Sequence, residues 1–187
     1  LPPVMHATGD ITDRMRAERA VRSTAMARGY SEVVTYCFVS PAAVAMLRFP
    51  ESDPRSSPVV LSNPLSVDMS VLRTTLAPGL IQALLKNISS GWRRAIRIFE
   101  TGMVFFGKGQ EVEEIFRLGG CVCPGVDNRS PWGEQETEDF HSVAADIEAI
   151  FASRGVALDL IPGSEPFGHV GKTARILAGG NDIGYLL

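Results

Sequence analysis

The strongest constraint on the fold of this chain is an alternation between two kinds of apolar pattern. Residues 96–106, like several shorter segments, are rich in β-branched and aromatic side chains, which favour strands. Residues 78–89 instead carry apolar side chains at helical spacing, which favours a helix packed on one face. Because both kinds of segment recur along the chain, the pattern predicts an α+β fold, with helices packed on one mixed or antiparallel sheet.

Capping residues and glycines set the approximate limits of these elements. Thr12 or Asp13 can cap the first helix, and Gly29 can end it. Gly179 and Gly180 predict a hairpin turn between the last two strands. We predict helices over residues 13–28, 40–47, 78–89 and 139–154, and strands over residues 31–39, 59–61, 71–73, 96–106, 116–123, 157–161, 174–178 and 183–187.

The length of the chain and its first residue favour one domain of a longer polypeptide. A chain of 187 residues can bury a single core, and Leu1 is not an initiator methionine. We therefore expect residues 1–12 to be a linker from an upstream module and residues 13–187 to form one core domain. The last predicted strand reaches Leu187, so we expect this domain to continue beyond it.

The composition excludes several classes of protein. With 45% hydrophobic and 21% charged residues the chain is globular rather than disordered, and no apolar run approaches the roughly 20 residues of a membrane helix. Three cysteines favour a reducing compartment over a disulfide framework, so we expect a cytoplasmic protein with no membrane partner.

The charge is unevenly distributed along the chain. Residues 1–100 hold 12 basic and 8 acidic residues, whereas residues 101–187 hold 6 and 13. The basic excess is small for a nucleic-acid-binding domain. Whether a nucleic acid contacts Arg73 or the four arginines of the first predicted helix stays open; those four are Arg14, Arg16, Arg19 and Arg22.

Two short motifs give only weak indications of chemistry. Gly171-Lys172-Thr173 is similar to the end of a phosphate-binding loop, but Pro166 stands where that loop needs a glycine N–H, and a strand rather than a helix follows. Cys121 and Cys123 point to the same face of a predicted strand, but zinc would need two further ligands. We interpret both cysteines as core residues.

Two longer segments carry a family resemblance. They are LSNPLSVDMSVLRTTLAPGL at residues 61–80 and RIFETGMVF at residues 97–105. In order and spacing, together with GYSEVVTY at residues 29–36 and GHVGKTA at residues 168–174, they resemble the catalytic-like core domain of the phenylalanyl-tRNA synthetase β subunit family. Val170 departs from the proline expected there.

The resemblance implies a class II aminoacyl-tRNA synthetase-like fold, an antiparallel sheet flanked by helices. In that family the α subunit uses ATP and magnesium to activate phenylalanine and charge tRNA. The β core domain resembles a class II catalytic domain that has lost its chemistry. The resemblance thus implies a heterotetramer with an α subunit, tRNA bound through the full assembly, and no cofactor in this fragment, which alone is expected to be inactive.

The second class II motif provides a test of this expectation. Its Phe-Arg-x-Glu pattern supplies an arginine that binds the α-phosphate of ATP with a fixed positive charge. In the aligned segment Phe106 stands at the arginine position and Lys108 at the glutamate position. The third motif is either absent or beyond Leu187. We therefore predict no catalytic, cofactor-binding or metal-binding residue in this chain.

Arg73 and Glu100 are the remaining candidate site residues. In active class II relatives a similar Leu-Arg-Thr segment lies near the substrate pocket, so Arg73 is either substrate-proximal or a structural residue paired with an acidic neighbour or a carbonyl. Arg97 and Glu100 could replace the second motif, but their spacing on a strand places them on opposite faces.

These observations lead to one main hypothesis and two alternatives. The main hypothesis is a non-catalytic structural core domain of the β subunit of phenylalanine–tRNA ligase, which supports charging of tRNA by the α subunit. It predicts an exposed apolar face for that subunit. The alternatives are an active class II amino-acid-activating domain and a free-standing tRNA-binding module.

Overall fold

A computed structural model describes residues 12–108, 111–125 and 138–187, so most of the predicted linker lies outside the described residues. The helices are α1 (Asp13–Ala27), α2 (Pro41–Ala45), α3 (Ala77–Ser89) and α4 (Phe140–Ala152). The strands are β1 (Ser31–Glu32), β2 (Phe38–Val39), β3 (Val71–Leu72), β4 (Ile96–Lys108), β5 (Glu111–Cys123), β6 (Leu158–Pro162), β7 (Ala174–Ala178) and β8 (Asn181–Leu186).

A long antiparallel hairpin of β4 and β5 lies at the centre of the structure. The two strands stay in register from Ile96 opposite Cys123 to Lys108 opposite Glu111. β1 pairs in parallel orientation with the edge of β4 that faces away from β5, so this three-stranded sheet is mixed. β2 and β3 form a small antiparallel pair, and β6, β7 and β8 form an antiparallel sheet. The α+β class is confirmed, while the described strands form three sheets rather than one.

Both faces of β4 are covered, which explains why apolar side chains occur at both odd and even positions along it. On one face Ile98 and Val104 pack with Leu80 of α3. On the other face Phe99 packs with Ala25 of α1 and with residues of α4. The central hairpin therefore lies between α3 on one side and α1 with α4 on the other.

Helix α4 connects the central sheet to the C-terminal sheet. Its Ile150 belongs to the cluster around Phe99, whereas its Ala144 packs with Ile176 of β7 and Leu186 of β8. Asp139 caps the helix by accepting a hydrogen bond from the Ser142 backbone N–H at 2.8 Å. The four predicted helices are confirmed to within one or two residues at most ends.

Two predicted strands are wrong. The segment over residues 31–39 splits into β1 and β2, which belong to different sheets, because Thr35 turns away from the edge of β4 to bind a buried carboxylate. Residues 59–61 form only a single bridge, between Val60 and Val71. β5 begins at Glu111, five residues earlier than its apolar pattern indicated, because β4 supplies pairing partners beyond that pattern.

A buried carboxylate ties α1, β4 and α4 together. Asp146 of α4 is 2% exposed and accepts hydrogen bonds from Arg28 at 2.6 Å and Arg97 at 2.9 Å. The Tyr30 hydroxyl donates a third bond at 3.0 Å. Burial, and then this bond to Asp146, raise the pKa of the Tyr30 hydroxyl above its usual value. The charge of Asp146 is thus satisfied by two regions distant in sequence, the segment that follows α1 and β4.

Replacing Asp146 by Asn is expected to lower the free energy of unfolding by about 3 kcal/mol. The partly buried guanidinium groups of Arg28 and Arg97 would both lose the negative charge that Asp146 supplies. Asp159→Asn, at an exposed carboxylate of β6, is the control and should stay within about 0.5 kcal/mol. Urea unfolding curves measure both differences, and equal effects of the two substitutions would contradict the role given to Asp146.

Candidate functional site

Phe106 is the residue that the sequence predicts at the position of the phosphate-binding arginine of an active class II domain. The structure packs this half-buried ring against an apolar cluster on the α3 face of β4. Lys108 ends β4, and its backbone lies opposite Glu111. The buried members of the cluster are Leu76, Leu80, Ile96, Ile98 and Val104.

The space beside Phe106 is also unsuited to a phosphate group. A cavity of about 260 Å³ lies between Phe106 and the loop that precedes Ser57. Glu51 and Asp53 place carboxylates along its wall. An aromatic ring and two acidic side chains offer a triphosphate no positive charge. The residues that line this small cavity do not fit ATP. In the larger cavity that Phe106 also borders, two of the lining arginines, Arg55 and Arg175, are paired with the buried carboxylate of Glu165.

Arg73 and Glu100 form a buried ion pair on the α3 face of β4. Their side chains are 4% and 2% exposed, and Arg73 Nη1 lies 2.7 Å from Glu100 Oε1. Arg73 Nε donates a second hydrogen bond, at 2.8 Å, to the carbonyl oxygen of Met103. The partners expected for a structural Arg73, an acidic neighbour and a carbonyl, are therefore both present.

Thr35 and Gly102 complete the surroundings of this pair. The Thr35 hydroxyl accepts from Arg73 Nη1 at 2.9 Å and donates to Glu100 Oε2 at 2.7 Å. A Cβ atom at Gly102 would collide with Arg73 Nη2, so glycine makes room for the guanidinium group. Both charges thus face protein groups, and neither is directed to solvent or to an open pocket.

Arg97 and Glu100 lie on opposite faces of β4, as their spacing predicted. Arg97 makes two hydrogen bonds to Glu138, at 2.7 and 2.6 Å, and one to Asp146 on the α4 side. The bonds to Glu138 raise the pKa of Arg97 above its usual value. The two side chains therefore cannot act on one substrate.

A second charged cluster, which was not predicted, joins the loop after α2 to the C-terminal sheet. Glu165 has a fully buried side chain, and its Oε2 accepts a 3.0 Å hydrogen bond from Arg55. Arg175 Nη1 lies 2.8 Å from Glu165 Oε1 as an ion pair without hydrogen-bond geometry. Arg55 also binds Asp53 and stacks on the Phe49 ring at 4.2 Å. The cluster is internally neutralised and holds the loop in place.

Sequence reasoning also missed Asp146, although a signal was available. Asp146 falls among the apolar residues Val143, Ile147 and Ile150 that define the buried face of α4. An acidic residue on such a face must be paired when buried. No comparable local pattern surrounds Glu165, which lies in a loop.

The two weak motifs do not form sites. Thr173 of the Gly-Lys-Thr segment is buried, and its hydroxyl donates to the carbonyl oxygen of His169 before the chain enters β7. Cys121 and Cys123 pack against the cluster around Leu80, and burial raises the pKa of the Cys121 thiol. Within the ranges described, no group of three metal-ligating side chains comes together, and no helix is long and apolar enough to cross a membrane.

The arginines of α1 are mostly engaged within the protein. Arg14 pairs with Glu18 at 3.0 Å, Arg16 with Asp13 at 2.6 Å and Arg22 with Glu32 at 2.6 Å. Arg19 is exposed and forms no ion pair with any described residue. This helix offers fewer free positive charges than its sequence indicated.

The comparisons with known proteins agree with this geometry. Residues 1–186 match the sequence profile of the phenylalanyl tRNA synthetase beta chain CLM domain. A phenylalanine–tRNA ligase beta subunit of Pseudomonas fluorescens strain Pf-5 is 34% identical over 192 residues, which cover 98% of this chain and 23% of the relative. The beta subunit of Coxiella burnetii is 38% identical over 162 residues, covering 85% and 20%.

Solved structures support the fold independently. A pyrrolysyl-tRNA synthetase of Desulfitobacterium hafniense, a class II synthetase, superposes with a TM-score of 0.64 at 20% identity, covering 91% of this chain and 54% of that one. The chain spans about a quarter of the length of the curated relatives it matches. On the profile match and the shared identity, the chain belongs to the phenylalanyl tRNA synthetase beta chain CLM domain family.

Proposed function

We propose that this chain is a non-catalytic structural core domain, which supports the charging of tRNA with phenylalanine by a separate α subunit. The observation that carries the proposal is the packing of Phe106 into the apolar cluster around Leu80, at the position of the phosphate-binding arginine. Without a cation there, the negative charge that develops on the α-phosphate in the transition state would be left unstabilised.

The buried pair of Arg73 and Glu100 supports the same proposal. Two charges that could contact substrate neutralise each other, with Thr35 between them. In this role Arg73 is a positioning residue that fixes the start of α3 against β4. ATP and magnesium are then bound by the α subunit in a cytoplasmic heterotetramer, and this domain needs no cofactor.

An exposed apolar surface is available for the α subunit. We define the apolar loop surface as Tyr36, Phe38, Val60, Leu65 and Val67, whose exposure ranges from 38% to 88%. Val60 forms a bridge to β3, β3 pairs with β2, and β2 contacts the 3₁₀ turn at residues 67–69. These contacts bring the segments together. Large apolar residues exposed in one region mark a protein contact in a soluble assembly.

The proposal predicts that the chain alone does not activate phenylalanine. Phenylalanine-dependent exchange between ATP and pyrophosphate should be absent with this chain and present with an assembly of full-length α and β subunits. Phe106→Arg with Lys108→Glu should not create exchange, because the neighbouring wall stays acidic. Exchange by the chain alone would instead support the alternative of an active class II domain.

Arg73→Met is expected to lower the free energy of unfolding by at least about 3 kcal/mol, since it leaves Glu100 buried without a counter-charge. Adding Glu100→Leu should recover much of this loss, because an apolar pair can replace a buried ion pair. The same substitution in an exposed pair, Arg16→Met, should cost less than about 1 kcal/mol.

A second readout separates a positioning role for Arg73 from substrate contact. At a temperature where the Arg73→Met β subunit stays folded, the KM values for ATP and phenylalanine of the assembly should match those of the unsubstituted enzyme. A stable variant with raised KM values would place Arg73 at the substrate.

Charges on the apolar loop surface should weaken association with the α subunit. In the full-length β subunit, Leu65→Asp with Val67→Asp is expected to raise the dissociation constant by about tenfold or more, because carboxylates would be buried in an apolar contact. Val170→Asp is a matched control, since Val170 is 93% exposed in a loop far along the chain. Analytical ultracentrifugation measures the assembly; equal behaviour of the two variants would contradict this contact surface.

A further inference from the structure

Three exposed cations that form no ion pair with any described residue lie close together in sequence at the C-terminal end of α3. Residues 69–99 contain no acidic residue, in a chain whose net charge is −3. Of the cations in this stretch, Arg73 and Arg97 are paired with carboxylates on β4, α4 and the segment before α4. The other three are exposed and form no ion pair with any described residue; they are Lys86, Arg93 and Arg94.

An exposed tryptophan lies between these cations in the sequence. Trp92 is 55% exposed, although tryptophan usually buries most of its surface. Asn87 and Ser90 are exposed polar residues of the same segment. We call Lys86, Asn87, Trp92, Arg93 and Arg94 the α3-end surface. It combines cations, an aromatic side chain and a neutral hydrogen-bonding group, and none of these residues is acidic.

The backbone holds this surface in a defined conformation. Gly91 has a φ of +85°, and it ends α3 by donating its N–H to the Ile88 carbonyl oxygen at 3.0 Å. The Trp92 N–H donates to the Asn87 carbonyl oxygen at 3.2 Å, which completes a Schellman motif. The backbone of the following residues, Arg93 to Ala95, lies very close to Gly125. A Cβ atom at Gly125 would collide with that backbone.

A purely structural role accounts for only part of this surface. Lys86 lies in the last turn of α3, where a cation interacts favourably with the helix dipole. Arg93 and Arg94 follow the helix end, and neither makes a side-chain hydrogen bond to a described residue. The exposure of Trp92 also remains to be explained. A protein contact of the usual kind would be depleted in lysine at its core.

We propose that the α3-end surface binds RNA, with Lys86, Arg93 and Arg94 on backbone phosphates and Trp92 stacked on an unpaired base. Phosphate contacts by lysine and arginine together with stacking on an exposed aromatic face are the chemistry of binding to exposed nucleotides. That the RNA is the tRNA substrate rests on the proposed function; the RNA-binding surface itself does not.

The test uses the assembly of full-length α and β subunits and an unmodified tRNA transcript that accepts phenylalanine, with binding followed by fluorescence anisotropy. Lys86→Gln, Arg93→Gln and Arg94→Gln together should weaken binding about tenfold at low salt. They should also make the slope of log K against log salt shallower by about 2 to 3, because up to three phosphate contacts are lost. Trp92→Leu should weaken binding by about fivefold or more with little change in slope.

A matched control removes the same number of exposed cations elsewhere. Arg19→Gln, Arg154→Gln and Lys172→Gln lie in α1, after α4 and before β7, and none of these cations is ion-paired with a described residue. This variant should keep an affinity and a salt slope close to those of the unsubstituted assembly. Equal losses in the two triple variants, or an unchanged affinity and slope in the α3-end variant, would overturn the proposal.

Two further outcomes separate this proposal from the proposed function. Phenylalanine-dependent exchange between ATP and pyrophosphate needs no tRNA, so it should stay unchanged in the α3-end variant if only RNA binding is affected. Dissociation of the α and β subunits in that variant would identify a protein interface and would overturn the RNA assignment. Exchange by the isolated chain would refute the non-catalytic role but would leave the binding result valid.

Discussion

The carboxylate of Glu100, buried in the middle of β4, is the constraint on which the surrounding structure depends. A buried charge is tolerated only when it is paired and hydrogen-bonded. Arg73 supplies the counter-charge, Thr35 supplies a backbone N–H and a hydroxyl, and Gly102 leaves room for the guanidinium group. Satisfying this one group therefore fixes the chain after β1, the entrance to α3 and the face of β4 against which α3 packs.

The opposite face of β4 follows the same principle with different partners. Arg97 turns toward Asp146 and Glu138, and Arg28 joins them from the end of α1. The central strand thus carries a neutralised charge network on each face, and each network connects segments that are distant in sequence. The charges in both networks hold the protein together.

The functional consequence is a division between the interior and the surface. Inside, Phe106 packs against an apolar cluster, and the arginines Arg55 and Arg73 are neutralised by carboxylates. Outside, the apolar loop surface and the α3-end surface leave apolar groups and cations exposed. This distribution supports a domain that contributes through binding to partners, within a family defined by a synthetase beta chain.

The sequence by itself determined the helices and the two long strands of the central sheet. Helix caps, glycine turns and apolar periodicity are local, and the absence of an arginine at Phe106 is a matter of residue identity. Only the tertiary structure decided that residues 31–39 split between two sheets, that Asp146 and Glu165 are buried, and which cations are neutralised. These outcomes depend on contacts such as that of Arg28 with Asp146, 118 residues apart, which no local pattern encodes. The cations at the end of α3, which form no ion pair with any described residue, became distinct from the paired arginines of α1 for the same reason: charge pairing is a property of neighbours in space.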